Sequence, residues 1–309
     1  MATIKVFGHK VPDTDSVCSA IVFAWYLTEK KSTPATAYIA GKPNKETAYA
    51  LKKLKVKTPE LIESVEEGDK VVIVDSTNPE ELIGNLEEAE VLEVIDHHKL
   101  GGLKTSTPLK ATIRPLGCSS TVIWEVLKAD GVNELPKEVA SLMLTAILSD
   151  TLKLTSPTAT ENDKQAVAEL QKMTDLNVDE YAEELFAAKS DLTGMGAKDV
   201  LLADAKEFDL KGKKVLIGVH ETTKPGNALK MKTELISEMN KVMAEKKYDG
   251  VFFFIVDILN AYAEAITASP FEKGVVEKAF SVEVKDNQVK LPGIVSRKKQ
   301  IVPNLEKAL

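Results

Sequence analysis

The chain has 309 residues, 44% of them hydrophobic and 28% charged, with a formal net charge of −7 and a pI near 5.4. This is ordinary globular usage with room for two domains; it excludes a disordered chain, a general nucleic-acid coat and a polybasic membrane-surface protein. The two cysteines, Cys18 and Cys118, make neither a disulfide framework nor a zinc-ligand pattern and read as buried small residues of a reducing compartment.

The chain opens on a strand-like run, Thr3 to Phe7, with no charged-then-apolar signal segment before it. Gly8 to Ser16 punctuates that strand, and Asp13, Thr14 and Asp15 are good helix-start residues for the apolar-spaced run from Val17 to Leu27. A short strand at 37–40, a helix at 45–54 and a buried strand at 70–75 follow, the last ending in Asp75. Residues 79–86 read as short and helical. The run Val91-Leu92-Glu93-Val94-Ile95 is a β-branched strand that ends abruptly in Asp96-His97-His98. A strand at 111–115 precedes helices at 118–130, 136–151, 161–175 and 178–189, which lack strand partners and are expected to pack as a cap.

Ser190 to Gly196 is the expected linker between a domain at 1–190 and a smaller one at 191–309. The second is expected to hold strands at 214–219, 251–258 and 262–268, helices at 227–246 and 272–280, and a hairpin over 281–291 around Asp286-Asn287. His220 ends one of these strands and is expected at a surface or interface, outside catalysis. Near the end stands Ser296-Arg297-Lys298-Lys299-Gln300, where Pro303 argues against a simple tail helix. The expected fold class is α/β: a doubly wound, mainly parallel N-terminal sheet with helices, and a smaller C-terminal α/β domain with a mixed sheet. The longest apolar run, Val251 to Val256, is strand length against the ~20 residues of a membrane span, so the cytoplasm is the expected location.

Acids and imidazoles recur at one end of the first sheet: His9, Asp13, Asp15, Asp75, Asp96, His97 and His98, joined by Asp150 from the end of an apolar helix. Singly, the acids read as helix caps or turn residues and the imidazoles as hydrogen-bonded core groups. Together, outside the carboxyl ends of parallel strands, they read as a ligand site. Carboxylates and imidazoles without cysteine suit Mn²⁺ or Co²⁺ better than structural Zn²⁺. Asp13, Asp15, Asp75 and Asp150 carry four negative charges when ionised, which two divalent ions neutralise. Such ions lie ~3.5–4 Å apart and typically serve phosphoryl hydrolysis. Arg297, Lys298 and Lys299 read either as a solvated charge cluster or as a phosphate clamp.

These motifs resemble the family II inorganic pyrophosphatases, the manganese-dependent group of the Asp-His-His phosphoesterase superfamily. The resemblance rests on Gly8-His9-Lys10 with Pro12 to Ser16, Val74-Asp75, Asp96-His97-His98, Ser149-Asp150 and Ser296 to Gln300, and it covers essentially the whole chain. It implies hydrolysis of pyrophosphate to two orthophosphates by a metal-bridged hydroxide at a two-metal site, with Mg²⁺ accompanying the substrate. It implies His9 and Asp13 on one Mn²⁺, Asp15 and His97 on the other, Asp75 between them and Asp150 completing the shell. His98, Lys206, Arg297 and Lys298 would bind the phosphates, with His98, Asp150, Lys206 and Arg297 taking part in catalysis, and Asp96 would orient an imidazole. It further implies a homodimer formed through the N-terminal domain, and a substrate lying between two domains that close on it. Two positions depart from the family's habit: Ser76-Thr77 follow Asp75 where Asn often stands two places on, and Lys99 follows the His pair where many members have Arg.

Other readings are an exopolyphosphatase acting on short chains, a nucleotide phosphodiesterase of the same superfamily, and a binding protein with a dead site. The phosphodiesterase reading is disfavoured by the missing C-terminal Gly-Gly-His motif and by 6% aromatic content, which leaves few platforms for bases. The dead-site reading is disfavoured because no ligand position is lost.

Overall fold

The computed structural model describes residues 3–309, and the chain divides into two compact units, Met1–Ala188 and Lys189–Leu309.

The first unit runs β1 (Ile4–Phe7), α1 (Thr14–Lys31), β2 (Ala35–Ile39), α2 (Lys45–Leu54), β3 (Glu60–Leu61), β4 (Lys70–Val74), β5 (Glu90–Asp96), β6 (Lys110–Ile113), α3 (Ser119–Ala129), α4 (Lys137–Asp150), α5 (Glu161–Gln171) and α6 (Val178–Lys189). The six strands form one parallel sheet in the order β3-β2-β1-β4-β5-β6. A parallel sheet covered by helices on its faces needs nearly continuous apolar strands. The central ones comply: Val6, Phe7, Val71, Val72, Ile73 and Val74 are all buried. Asp13 caps α1 by accepting from the Ser16 N–H at 2.9 Å, and Ser32 closes it in the left-handed conformation. Residues 79–86 form no helix but two single 3₁₀ turns, Pro79–Glu81 and Leu86–Glu88. The expected cap is closer to the sheet than its lack of strands suggested: α3 packs on β5 and α1, and α4 packs along α1.

The second unit runs α7 (Ala197–Leu202), β7 (Ala205–Leu210), β8 (Lys213–Thr222), α8 (Pro225–Leu229), α9 (Lys232–Lys246), β9 (Gly250–Asp257), β10 (Tyr262–Ile266), α10 (Pro270–Phe280), β11 (Gln288–Pro292), a π-type turn at Arg297–Ile301 and α11 (Val302–Ala308). Its sheet is mixed, in the order β11-β10-β9-β8-β7, with only β8 and β9 parallel. The central strand β9 is buried along its whole length. Phe253 joins Leu235 and Met239 of α9 in one core, while Phe252 and Phe254 meet Phe271 and Phe280 of α10 on the opposite face.

Sequence reasoning missed β7. Its signal was the Lys211-Gly212 pair, which carries φ of +52° and +78° between the partners Leu210 and Lys213. That is the two-residue hairpin turn whose twist matches the flanking strands. The expected hairpin over 281–291 forms its turn at Asp286-Asn287, but the first arm contributes only the Lys285–Gln288 bridge, and β11 pairs with β10 instead. The expected single helix at 227–246 is broken into α8 and α9 at Lys230-Met231. Pro303 does not bar a terminal helix; it stands in the first turn of α11, where no intrahelical N–H is needed. Among the described residues, no helix is long and apolar enough to cross a membrane.

Candidate active site

In the first sheet the chain moves from β1 to β2 on one side, while β4 lies on the other. Such a reversal opens a crevice beyond the strand ends. The segments leaving β1, β4 and β5 carry His9 to Asp13, Asp75, and Asp96 to His98 into this crevice.

His9 Nε2 lies 3.3 Å from Asp75 Oδ2 and 3.5 Å from Asp13 Oδ2. His97 Nε2 lies 3.5 Å from Asp75 Oδ1 and 3.3 Å from Asp150 Oδ2. Asp75 therefore turns one carboxylate oxygen to each imidazole. Donor atoms of His9, Asp13 and Asp75 fall within 4.8 Å of one another, as do those of Asp15, His97 and Asp150. A third set, Asp75, His97 and His98, shares the same carboxylate. All six ligand candidates read from the sequence are thus brought together in one unit. The donor chemistry fits divalent cations: oxygen and imidazole nitrogen, with no thiolate. Burial first, then the nearby Asp15, hold the Cys118 thiol well above its ordinary range, and Cys18 is raised in the same way.

Electrostatics favour a cation. Burial, then the charges of Asp15 and Asp13, push the Asp75 carboxyl well above the usual carboxylate range, and His9 only partly opposes them. Asp75 Oδ2 is buried and accepts no hydrogen bond among the described residues. Asp75 also carries a φ of +62°, a left-handed geometry that Asp tolerates better than most residues.

A surrounding set of hydrogen bonds fixes the donors. His97 Nδ1 lies 3.0 Å from the Leu116 carbonyl, which assigns the proton to Nδ1 and the lone pair to Nε2. Asp96 Oδ1 accepts from the His97 N–H at 2.7 Å, the His98 N–H at 2.9 Å and His98 Nδ1 at 2.9 Å. Burial alone would raise the Asp96 carboxyl, but these bonds and the two imidazoles bring it down to about 2. Asp15 accepts at Oδ2 from the Ser119 N–H at 2.6 Å and at Oδ1 from the Ser120 N–H at 3.1 Å, so it sits on the N-terminus of α3.

Several supporting residues escaped the sequence reading. Ser119 Oγ donates to Asp75 Oδ1 at 2.8 Å. The fully buried Glu46 accepts from Ser149 Oγ at 2.9 Å and from Thr14 Oγ1 at 3.3 Å, tying the neighbours of Asp150 and of Asp13 and Asp15 to one carboxylate. Thr77, at the departure from the family habit, accepts from the Gly101 N–H at 2.8 Å and donates to the Lys99 carbonyl at 3.3 Å, so it ties down the loop after the His pair. The visible signals were the hydroxyl run Ser119-Ser120-Thr121 at a helix start and the Asn44-Lys45-Glu46 cap; neither names a partner.

The basic candidates lie in the second unit. Lys206 stands on β7 opposite Ile217. Ser296 caps the π-type turn by accepting from the Lys299 N–H at 3.3 Å, and Gln300 Oε1 accepts from the Val295 and Ser296 N–H groups at 2.9 Å each. This self-bonded turn carries Arg297, which is largely buried, and Lys298, which is exposed. His220 is buried rather than at the surface, at 7% exposure, because β8 is an interior strand of the sheet.

Residues 3–147 match the DHH family, N-terminal domain, and residues 183–308 match the DHHA2 domain. A Bacillus licheniformis protein named probable manganese-dependent inorganic pyrophosphatase is 40% identical over 310 residues, covering 100% of this chain and 99% of its own. A Deinococcus radiodurans protein of the same name is 40% identical, with 98% of each chain covered. A solved Methanococcus jannaschii structure, assigned to family II of the inorganic pyrophosphatases, superposes with a TM-score of 0.87 at 36% identity over 99% of both chains. An exopolyphosphatase-related protein of Bacteroides fragilis aligns over 99% of this chain with a TM-score of 0.52 at 15% identity, which shows a shared fold alone. With such identity over its whole length, and with its acids and imidazoles gathered beyond the carboxyl ends of the central strands of one sheet, the chain belongs to the family II, manganese-dependent inorganic pyrophosphatases of the Asp-His-His phosphoesterase superfamily.

Proposed function

We propose that the protein hydrolyses inorganic pyrophosphate to two orthophosphates and that it does so with two manganese ions, Co²⁺ being the other fitting ion and Mg²⁺ accompanying the substrate. The observation that carries this reading is Asp75, whose two oxygens face His9 and His97 at 3.3 and 3.5 Å. One carboxylate shared by two donor sets is the arrangement two-metal phosphoryl hydrolysis needs.

His9, Asp13 and Asp75 would hold one ion, and Asp15, His97, Asp150 and Asp75 the other. When bound, the ions supply acidification of water and neutralisation of phosphoryl charge. The protein's own residues do the rest. The Leu116 carbonyl and Asp96 lock the two imidazoles. His98, 30% exposed and held by Asp96 at Nδ1, has Nε2 on the opposite ring edge, where its imidazolium form can give a proton to a departing phosphate. Lys206, Arg297 and Lys298 supply positive charge to the substrate's phosphates. On this reading residues 1–190 are the metal-binding domain and 191–309 the substrate-binding domain. The protein is cytoplasmic, forms a homodimer through the N-terminal domain and takes no nucleic acid or membrane as partner.

The test is phosphate release by Mn²⁺-loaded protein from magnesium pyrophosphate, tripolyphosphate and long polyphosphate. Pyrophosphate should be the preferred substrate by orders of magnitude. A preference for long chains would move the protein to the exopolyphosphatases, and no release from any substrate would leave it a binding protein. Light scattering tests the dimer.

A further inference from the structure

Arg297 does not extend freely from its turn. Its Nη2 donates to Asp204 Oδ1 at 2.6 Å, and its Nη1 donates to the Asp204 carbonyl at 2.7 Å and more weakly to the Ile217 carbonyl at 3.5 Å. One residue thus grips both terminal nitrogens, by side chain and by backbone. The Arg297 side chain is 16% exposed and that of Asp204 48% exposed, so the arginine lies against the protein while the carboxylate reaches water.

Asp204 is also anchored. Its carbonyl accepts from the Val219 N–H at 2.9 Å, just before β7 pairs with β8. Lys206 follows two positions later on β7, opposite Ile217, the residue whose carbonyl also accepts from Arg297. Arg297 therefore docks on the same β7–β8 strand pair that carries Lys206, and Asp204 stands at its start.

We infer that Asp204 is a positioning residue for pyrophosphate turnover: it holds the Arg297 guanidinium in register with Lys206, so the phosphates meet an ordered pair of cations. This rests on the reading of Arg297 as a phosphate-binding group. A free arginine must be ordered when the anion binds, and that ordering weakens binding; an arginine already held by a carboxylate and a carbonyl avoids it. The guanidinium has five N–H donors, and Asp204 and Ile217 engage only the two terminal nitrogens, so donors remain for phosphate oxygens. The opposing effect is repulsion of phosphate by the Asp204 carboxylate. It is weak, because the carboxylate is half exposed and compensated at contact by the arginine.

The test is a double-mutant cycle on the full-length, Mn²⁺-loaded enzyme, read as KM for magnesium pyrophosphate and kcat. Asp204→Ala should raise KM about tenfold with a smaller change in kcat. Asp204→Asn keeps an acceptor oxygen and should recover most of the loss; it also carries the test if the alanine variant folds poorly. In an Arg297→Ala background the Asp204 substitutions should shift KM by less than about twofold. Manganese affinity, measured by titration calorimetry, should be unchanged throughout.

An equal KM shift in both backgrounds would overturn the inference, since Asp204 would then act only on strand β7. So would a lowered KM that climbs back with added salt, which would make Asp204 a charge brake. If Arg297→Ala alone impairs KM while Asp204→Ala and Asp204→Asn do not, the inference fails and the phosphate-binding reading of Arg297 stands. If Arg297→Ala itself leaves KM unchanged, that reading fails and takes the inference with it.

Discussion

Asp75 concentrates the chemistry of the first unit: a buried carboxylate in a left-handed backbone, pressed by two other acids and flanked by two imidazoles. Asp75→Asn keeps the shape but removes the charge and one acceptor oxygen. Manganese affinity should fall about a hundredfold or more, with phosphate release falling at least as far; calorimetry and assay check it, and unchanged manganese binding would remove Asp75 from the centre. His220 is a different kind of buried residue. Burial and the Lys189 charge pull its pKa from 6.5 to about 4, and its Nε2 has no hydrogen-bond partner among the described residues. The folded state therefore binds fewer protons than the unfolded chain between those values. Stability should be full above pH 6.5 and decline as pH falls toward 4, by at most about 3 kcal/mol from this group. Denaturant unfolding of His220→Gln should show a flatter pH dependence than the parent over that window.

At the scale of elements, the site depends on how strands hand over to helices. Gly8 joins β1 to the loop before α1, and a Cβ there would meet Ser16 Oγ at 1.9 Å and the Val74 carbonyl at 3.1 Å. Ser16 Oγ accepts from the His9 N–H at 3.2 Å, so displacing it moves the segment that carries His9 and Asp13. Gly8→Ala should cost about 1–3 kcal/mol of stability and weaken manganese binding, seen by melting with and without the ion. After α4 the chain turns through Leu152, Lys153 and Leu154 with φ of +49°, +54° and +66°. Successive left-handed residues without glycine are costly, and here they terminate the helix just past Asp150. The sequence reading ended this helix at 151, within a residue of α4; the left-handed path of the turn was not legible, because none of its residues prefers that conformation.

At the scale of the molecule there are two units, each with its own sheet and apolar core. Every proposed manganese ligand lies in the first. A ligand stabilises the part that binds it, by RT ln(1 + [L]/Kd). Removing metal with a chelator should lower the melting temperature of the first unit and leave the second's nearly unchanged, and readdition of Mn²⁺ should restore the first. Calorimetry resolves this; equal shifts in both units would place metal-linked stability outside the first. The same preparation should regain phosphate release with Mn²⁺.

The sequence by itself determined the α/β class, most strand and helix positions, and a short set of acids and imidazoles with one basic run. These are local signals: β-branched runs, cap residues, and ionisable side chains that stand out where an apolar strand ends. Two things escaped it. Short elements such as β7 and α7 were missed because their patterns are weak at that length, although Lys211-Gly212 marked the hairpin. The partners were missed because hydrogen bonds and ion pairs join residues far apart in sequence: Glu46 with Ser149, Asp15 with Ser119, Arg297 with Asp204. Nothing in the local chemistry of a lone Glu, Ser or Asp names its partner. The packing of α3 beside α1 and of α2 on α4, and the pairing of β7 with β8, decided those contacts.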